Sequence, residues 1–372
     1  MKNILVVGAG HIGMAIARLL AGSGDYEVTL ADRESAALFE AAGLPRLATL
    51  ALDIADDGAL ARAVAGRFAV LSAAPYHLTF RVAEAAAAAG VHYLDLTEDV
   101  ACTAKVKALA EGAASVFIPQ CGLAPGFISI VAADLAGRFE VLNDVRLRVG
   151  ALPKYPSNAL NYNLTWSTDG VINEYCEPCE AIVDGELRST RALEEAETFS
   201  LDGVAYEAFN TSGGLGTLCE SLEGKVRNLN YRTIRYPGHA AIMKALLNDL
   251  RLRDRRDLLK DILENAVPST LQDVVVIFVT VSGLRDGHLL QETWADKIYA
   301  RDIGAGPMSA IQITTASAAC AVLDLLAAGA IRSRGFVRQE EIALADFLAN
   351  RFGKVYRAPL EPAAAPALES AA

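Results

Sequence analysis

Short apolar runs alternate with helical patterns along the N-terminal part of the chain. Residues 3–7, Asn-Ile-Leu-Val-Val, form a short, mainly apolar run with β-branched side chains, which is typical of a strand buried on both faces. A glycine turn, a helix at residues 14–21 and a second strand at residues 27–31 follow. The alternation then continues, with strands predicted at 69–72, 92–95 and 115–119 and helices at 78–89 and 101–112. This order predicts a parallel, doubly wound sheet.

The pattern changes after about residue 125. Strand-like alternation at 144–149, an extended segment at 199–210 and a hairpin of 273–281 with 289–299 around Asp286-Gly287 predict a second domain. Helices at 308–328 and 339–350 are expected to return to the first domain. The predicted class is therefore α/β, a Rossmann-type doubly wound parallel sheet plus an α+β domain with a mixed or antiparallel sheet.

Composition narrows the function classes. With 372 residues, two domains are expected, and a net charge of -11 argues against a surface for nucleic acid. The helix at 308–328 contains polar residues and is predicted to be buried rather than to span a membrane. Six cysteines without a regular framework indicate reduced thiols and a cytoplasmic protein. Cys176 and Cys179 lack a second pair of ligands, so no metal site is predicted.

A glycine motif lies between the first strand and the first helix. In Gly8-Ala9-Gly10-His11-Ile12-Gly13, the first glycine permits a tight turn, the second admits a pyrophosphate and the third lets helix and strand pack closely. The helix N-terminus offers free N–H groups to phosphates. The alternative is a glycine-rich turn that binds no nucleotide. The motif favours a dinucleotide, with His11 and Ile12 also near it.

Three later segments of the chain fit the same cofactor. Asp32 ends the second strand, where a carboxylate accepts hydrogen bonds from the adenosine ribose and repels a 2′-phosphate. This favours NAD, although the adjacent Arg33 could serve the phosphate of NADP. Asp53 and Ile54 either flank the adenine or form a polar loop. The run Ala73-Ala74-Pro75 follows the fourth strand and is placed near the nicotinamide ribose.

Acidic residues cluster after the fifth strand. Ligands of open α/β sheets bind beyond the carboxyl ends of the strands, which gives weight to Asp95, Thr97, Glu98 and Asp99. Three carboxylates would favour a cationic substrate, and neighbouring charges can raise one pKa toward that of a general base. The alternative is a helix cap formed by Thr97 or Asp99.

Two further segments carry reactive side chains. Cys121 is either a polar contact near the nicotinamide or a small buried residue. The second segment, residues 233–239, brings Arg235, Tyr236 and His239 together, and an arginine there can hold a carboxylate in bidentate fashion. The alternative is an ordinary surface arginine.

These motifs resemble the saccharopine dehydrogenase-like family, and within it the lysine 6-dehydrogenase branch. The resemblance rests on Val-Val-Gly-Ala-Gly-His-Ile-Gly, Ser-Ala-Ala-Pro-Tyr, Cys-Gly-Leu-Ala-Pro-Gly, Leu-Asn-Tyr-Asn-Leu-Thr-Trp-Ser and Ile-Arg-Tyr-Pro-Gly-His, and it runs to about residue 357. Saccharopine reductases of the family carry aspartate where this chain has Ala124. That departure favours the lysine dehydrogenase branch.

The resemblance implies a dinucleotide-binding domain at 1–125 and 307–357, a substrate and oligomerisation domain at 126–306, and a disordered tail at 358–372. It implies an NAD-dependent enzyme that oxidises the CH–NH2 group of an amino acid, most simply the ε-amine of lysine. Asp95, Glu98, Asp99, Cys121 and His239 are the expected catalytic residues. The expected substrate contacts are Tyr76, Thr97, Trp166, Arg235 and Tyr236.

Two other functions remain open from the sequence. One is a saccharopine reductase, which would require glutamate and prefer NADPH. The other is an NAD-binding regulator that performs no redox step. The expected partners are a small amino-acid substrate and a second copy of the chain in a homodimer or larger homo-oligomer.

Overall fold

The computed structural model describes residues 1–41 and 43–357, so the predicted tail lies outside the described residues. The strands, in chain order, are β1 (Lys2–Val7), β2 (Tyr26–Asp32), β3 (Leu47–Ala51), β4 (Ala69–Ser72), β5 (His92–Asp95), β6 (Val116–Ile118), β7 (Val141–Pro153), β8 (Cys179–Val183), β9 (Glu186–Thr190), β10 (Glu197–Leu201), β11 (Val204–Asn210), β12 (Val226–Arg235), β13 (Asp273–Arg285), β14 (His288–Tyr299), β15 (Arg301–Asp302), β16 (Pro307–Met308) and β17 (Gly335–Phe336).

The α-helices are α1 (His11–Ser23), α2 (Ser35–Phe39), α3 (Asp57–Val64), α4 (Tyr76–Ala89), α5 (Val100–Ala110), α6 (Phe127–Ala136), α7 (Thr168–Cys176), α8 (Leu218–Leu222), α9 (His239–Lys244), α10 (Arg256–Ala266), α11 (Ala310–Ala327) and α12 (Leu344–Ala349). A π-helical turn (Ala245–Asp249) and three 3-10 turns (Leu252–Asp254, Gln339–Glu341, Gly353–Tyr356) complete them.

The first sheet has seven parallel strands in the order β17-β6-β5-β4-β1-β2-β3. Its central strands are buried on both faces, as their continuous apolar runs predict. The order reverses between β1 and β4, and such a reversal opens a crevice at the carboxyl ends of the strands. The predicted doubly wound sheet is confirmed.

Helix α11 packs against the first domain. Its Cys320 lies against the carbonyl of Ile16, and Asp324 accepts a hydrogen bond from the Tyr26 hydroxyl at 2.6 Å. The helix is long and apolar enough to cross a membrane, yet 78% of it is buried inside the protein. Ser309 and Gln312 form a capping box that starts it. It is therefore a core helix.

The second sheet is mixed. Its strands run in the order β10-β11-β12-β7-β13-β14, and the β8–β9 hairpin attaches to β12. Strands β7 and β12 are parallel, whereas their other pairings in this sheet are antiparallel. The prediction of one continuous extended segment at 199–210 is wrong, because a turn at Asp202-Gly203 separates β10 from β11.

This second sheet curls upon itself. Phe199 of β10 stacks on Phe278 of β13 at 5.4 Å, although three strands lie between them in the sheet order. Arg148 is buried on the same face, where its Nε donates to Glu197 at 2.5 Å. The opposite face of β7 and β12 therefore remains free to meet the first domain.

The prediction of one continuous helix at 339–350 is wrong. The segment forms a 3-10 turn at Gln339–Glu341 and the separate helix α12. Contacts with distant loops explain the break, because Gln339 donates to the carbonyl of Pro119 and Glu340 accepts from Thr217.

We expect Arg148→Met to destabilise the second sheet. The substitution keeps most of the aliphatic packing but leaves the carboxylate of Glu197 without its best partner, at a cost of about 3 kcal/mol. Arg188→Met is the matched control, because Arg188 and Glu186 are both largely exposed and such pairs contribute less than about 1 kcal/mol. Urea denaturation measures both changes, and equal losses would contradict the assignment.

Candidate active site

A cavity of about 450 Å³ lies between the two domains. The carboxyl ends of the first sheet form one wall, and β7, β12 and α7 form the other. It brings together many of the residues predicted from the sequence: Gly8, Gly10, Ile12, Asp32, Ala73, Ala74, Pro75, Tyr76, Thr97, Glu98, Trp166 and Arg235. The others, His11, Gly13, Arg33, Asp53, Ile54, Asp95, Asp99, Cys121, Tyr236 and His239, do not line it.

The glycine turn fits a diphosphate. Gly8 has φ +103°, and a Cβ there would lie 2.6 Å from the carbonyl oxygen of Ala73. A Cβ on Gly13 would lie 1.8 Å from the carbonyl oxygen of Gly8, so Gly13 permits the helix to approach the turn. A Cβ on Gly10, in contrast, would meet no protein atom within 4 Å. Gly10 therefore leaves space at the start of α1, where N–H groups are available to phosphates.

Asp32 faces the cavity from the end of β2. Its Oδ2 accepts the N–H of Ala9 at 2.6 Å and its Oδ1 accepts the N–H of Glu34 at 2.9 Å, which fixes the carboxylate. Arg33 is exposed and pairs with Glu34 instead of entering the cavity. Asp53 closes a turn by accepting the N–H of Ala55. Asp53, which was predicted to flank an adenine, does not line the cavity.

Asp95 is buried beneath the cavity rather than exposed in it. Its carboxylate accepts the N–H groups of Thr97 at 3.0 Å and Gln120 at 2.9 Å, and the hydroxyl of Tyr93 at 2.8 Å. Burial raises its pKa to about 6. The structure therefore places Asp95 outside the cavity, where it ties together the loops that follow β5 and β6.

Asp99 and Cys121 also have structural roles. Asp99 caps α5 by accepting the N–H of Cys102 at 2.6 Å, as the alternative interpretation expected. The thiol of Cys121 is fully buried and donates to the carbonyl of Ile118 at 2.9 Å. Burial raises the pKa of this thiol well above its usual value. Neither of these two predicted catalytic side chains lines the cavity.

His239 lies behind the cavity wall and does not line the cavity. It is 1% exposed and lies between the carbonyl of Leu160 at 2.9 Å and the hydroxyl of Tyr175 at 3.1 Å. Burial, together with the charge of Arg235, lowers its pKa to about 3, so the ring stays neutral. Tyr236 donates to the carbonyl of Pro153 and also lies outside the cavity. The structure thus places neither of these two predicted site residues in the cavity.

Arg235 does face the cavity, from the end of β12. Its Nε donates to the Tyr175 hydroxyl at 3.0 Å and its Nη1 donates to the carbonyl of Ile234 at 2.9 Å. The guanidinium also lies 5.0 Å from the ring centre of Tyr162, a favourable cation–π distance. It is the one basic side chain among the described residues that line the cavity.

Four carboxyl groups line the same space. Asp32 is held by main-chain N–H groups and Asp169 pairs with Lys260 at 2.6 Å, which leaves Glu98 and Glu174. Burial raises the pKa of Glu98 to about 7, and the charges of Asp99 and Asp95 add to the shift. Glu174 of α7 is 5% exposed, and burial raises its pKa well above the usual value. Sequence reasoning missed Glu174. The available signal was an acidic residue three positions after Val171, on the apolar side of the helix.

The fold and the cavity define a Rossmann-type protein with a separate substrate domain. A model of the saccharopine dehydrogenase NADP binding domain matches residues 4–116, and one of the saccharopine dehydrogenase C-terminal domain matches residues 122–355. The chain belongs to the saccharopine dehydrogenase family. Its first domain therefore binds a nicotinamide dinucleotide, NAD or NADP, as the glycine motif predicts.

Known relatives agree with this assignment. The chain is 23% identical over 271 residues to the NADP(+), L-glutamate-forming saccharopine dehydrogenase of Saccharomyces cerevisiae, covering 68% of this chain and 59% of that protein. For the Schizosaccharomyces pombe protein of the same description, the identity is 25% over 226 residues, with 56% and 49% covered. The chain thus matches between about half and three-fifths of the length of these relatives.

Solved structures share the fold. The apo saccharopine dehydrogenase (L-Glu forming) of Saccharomyces cerevisiae has a TM-score of 0.76 at 18% identity, with 94% of this chain and 97% of that chain covered. A homospermidine synthase of Legionella pneumophila, in complex with NAD, has a TM-score of 0.65 at 12% identity, with 95% and 89% covered.

We expect Gly10→Ala and Gly13→Ala to separate cofactor binding from folding. The Gly10 methyl group would enter the space left for the diphosphate, weakening NADH binding at least about tenfold while the melting temperature stays within about 1 °C. The Gly13 methyl group would clash with the Gly8 carbonyl and lower the melting temperature by several degrees. Fluorescence titration and thermal unfolding measure the two effects. Wild-type NADH affinity in Gly10→Ala would contradict the proposed diphosphate position.

Proposed function

We propose that the protein oxidises the CH–NH2 group of an amino acid, with the ε-amine of L-lysine as the preferred substrate and NAD as the hydride acceptor. The observation that carries this proposal is the charge of the cavity. One buried guanidinium, Arg235, lines the cavity together with the carboxyl groups of Glu98, which is partly exposed, and of Glu174, which is 5% exposed. A substrate with one carboxylate and more than one amine complements this set.

The charge also argues against condensation with glutamate. A product that incorporates glutamate carries two more carboxylates than lysine, and each would need a cationic partner in a buried site. Among the described lining residues, Arg235 supplies one such partner. Ala124 lines the cavity where saccharopine reductases of the family carry aspartate. The descriptions of the yeast relatives nevertheless make reductive condensation the second candidate.

The adenosine end supports NAD. Asp32 is held by two backbone N–H groups at the cavity wall, and a fixed carboxylate repels a 2′-phosphate. Arg33 is 73% exposed and is turned toward Glu34, so it offers no binding site for that phosphate in this conformation.

The residues can carry out the remaining steps. Arg235 holds the substrate carboxylate, and Glu98 accepts a proton from the substrate ammonium, since its pKa of about 7 suits a base near neutral pH. When bound, NAD supplies the acceptor for the hydride that leaves the carbon bearing the amine. Loss of that hydride and of the proton leaves an imine, and water then releases a semialdehyde and ammonia.

An absorbance screen at 340 nm tests the proposal. Lysine, ornithine, diamines and saccharopine are each supplied with NAD or NADP, and NADH formation from lysine is expected, with NAD preferred at least about tenfold. Arg235→Met should lower kcat/KM for lysine by about a hundredfold or more, because it removes the carboxylate ligand. Activity that requires glutamate and NADPH would establish the second candidate instead.

The pH dependence should report Glu98. Below about pH 7 the carboxyl group is protonated and cannot accept a proton, so log kcat/KM should rise with unit slope up to that pH and then level off. Glu98→Gln should remove this limb and lower activity at pH 8 by at least about a hundredfold. Glu111→Gln, at the exposed end of α5, is the control and should retain the limb. An unchanged profile in Glu98→Gln would eliminate this base.

A further inference from the structure

Glu174 is a buried acid whose side chain has no hydrogen-bond partner among the described residues. Its main-chain carbonyl accepts the N–H of Ser212 at 3.0 Å, yet no described residue donates a hydrogen bond to its side chain. The side chain is 5% exposed and borders the cavity. A carboxyl group in such a place costs folding free energy unless something satisfies it. A ligand in the cavity can supply the missing donor.

Arg235 provides the complementary charge on the same wall. It and Glu174 both belong to the second domain, and the two influence each other electrostatically. They do not pair, since Arg235 directs its hydrogen bonds to Tyr175 and the carbonyl of Ile234. One fixed cation and one nearby acid, both facing the cavity, match a ligand end that carries a carboxylate and an ammonium together.

We propose that Arg235 and Glu174 form a binding site for the α-carboxylate and α-ammonium groups of a free amino acid, with Glu174 as the residue that selects for the α-amine. This inference rests on the proposed function and names the part of the substrate that does not react. Glu98 lies on the first domain, after β5, beside the dinucleotide site. The distal amine therefore meets Glu98, and the α-carbon stays with the second domain.

The site defines a substrate class. Basic amino acids with an unmodified α-amine satisfy both Glu174 and Arg235. Diamines lack the carboxylate that Arg235 requires. Amino acids whose one amine is at the ω position lack the α-ammonium that Glu174 requires. A buried polar group left without its partner discriminates strongly between such analogues.

Substrate analogues test this assignment directly. L-Lysine is compared with 6-aminohexanoate, which lacks the α-amine, and with 1,5-diaminopentane, which lacks the carboxylate. Glu174→Gln should lower kcat/KM for lysine by about thirtyfold, mainly through KM, but for 6-aminohexanoate by less than about threefold. Arg235→Met should lower both of these values and leave 1,5-diaminopentane the least affected. Glu177→Gln, at the exposed end of the same helix, is the control.

Binding without turnover separates this inference from the proposed function. L-Norleucine carries the same α-groups but no distal amine. It should bind the NADH-loaded wild-type protein at least about tenfold more tightly than it binds the NADH-loaded Glu174→Gln variant. If no amine is oxidised but this difference appears, the proposed function fails and the binding site stands. Equal norleucine affinity, together with equal losses for lysine and 6-aminohexanoate, would overturn the site. If Glu174→Gln does not fold, Glu174→Asp replaces it, with a smaller loss in the same direction.

Discussion

The central constraint in this protein is that a guanidinium and a carboxyl group, both almost fully buried, face the same cavity. Arg235 is 3% exposed and Glu174 is 5% exposed, so neither is well solvated in the folded chain. Charges in such surroundings interact more strongly than in water, and each is costly when unpaired. The chain keeps them apart, since Tyr175 and a main-chain carbonyl orient the guanidinium. The guanidinium of Arg235 and the carboxyl group of Glu174 are therefore both available to a ligand that carries a carboxylate and an ammonium.

Two different sheets create that cavity. The parallel sheet contributes the ends of its strands, where the glycine turn, Asp32 and the loop carrying Glu98 converge. The mixed sheet contributes one face, from β7 and β12, and α7 lies beside it. Asp95 fixes the loops at the strand ends through the N–H groups of Thr97 and Gln120. Asp95, which is buried outside the cavity, thus holds in position the loop that carries Glu98.

The sequence predicts the first domain well because its signals are local. Apolar runs, the glycine motif and Asp32 lie within one strand–helix–strand unit, and their spacing decides their roles. Arg235 was identified from a sequence motif, which left open that it is an ordinary surface arginine. Its burial excludes that alternative. His239 and Cys121 were predicted to lie in the site but are buried outside the cavity, because a reactive side-chain type reveals nothing about packing by distant residues. Glu174 was missed for the same reason, since its position at the cavity depends on contacts across the whole second domain.

The central claim is that the α-end of the substrate is held by the second domain while the distal amine is oxidised. Transfer of deuterium tests it most directly, with L-lysine labelled either at the α-carbon or at the carbon that bears the ε-amine. Mass spectrometry of the NADH should show deuterium only from the second compound. Deuterium delivered to NADH from the α-carbon would contradict the account, because the reacting carbon would then be the one assigned to Arg235 and Glu174.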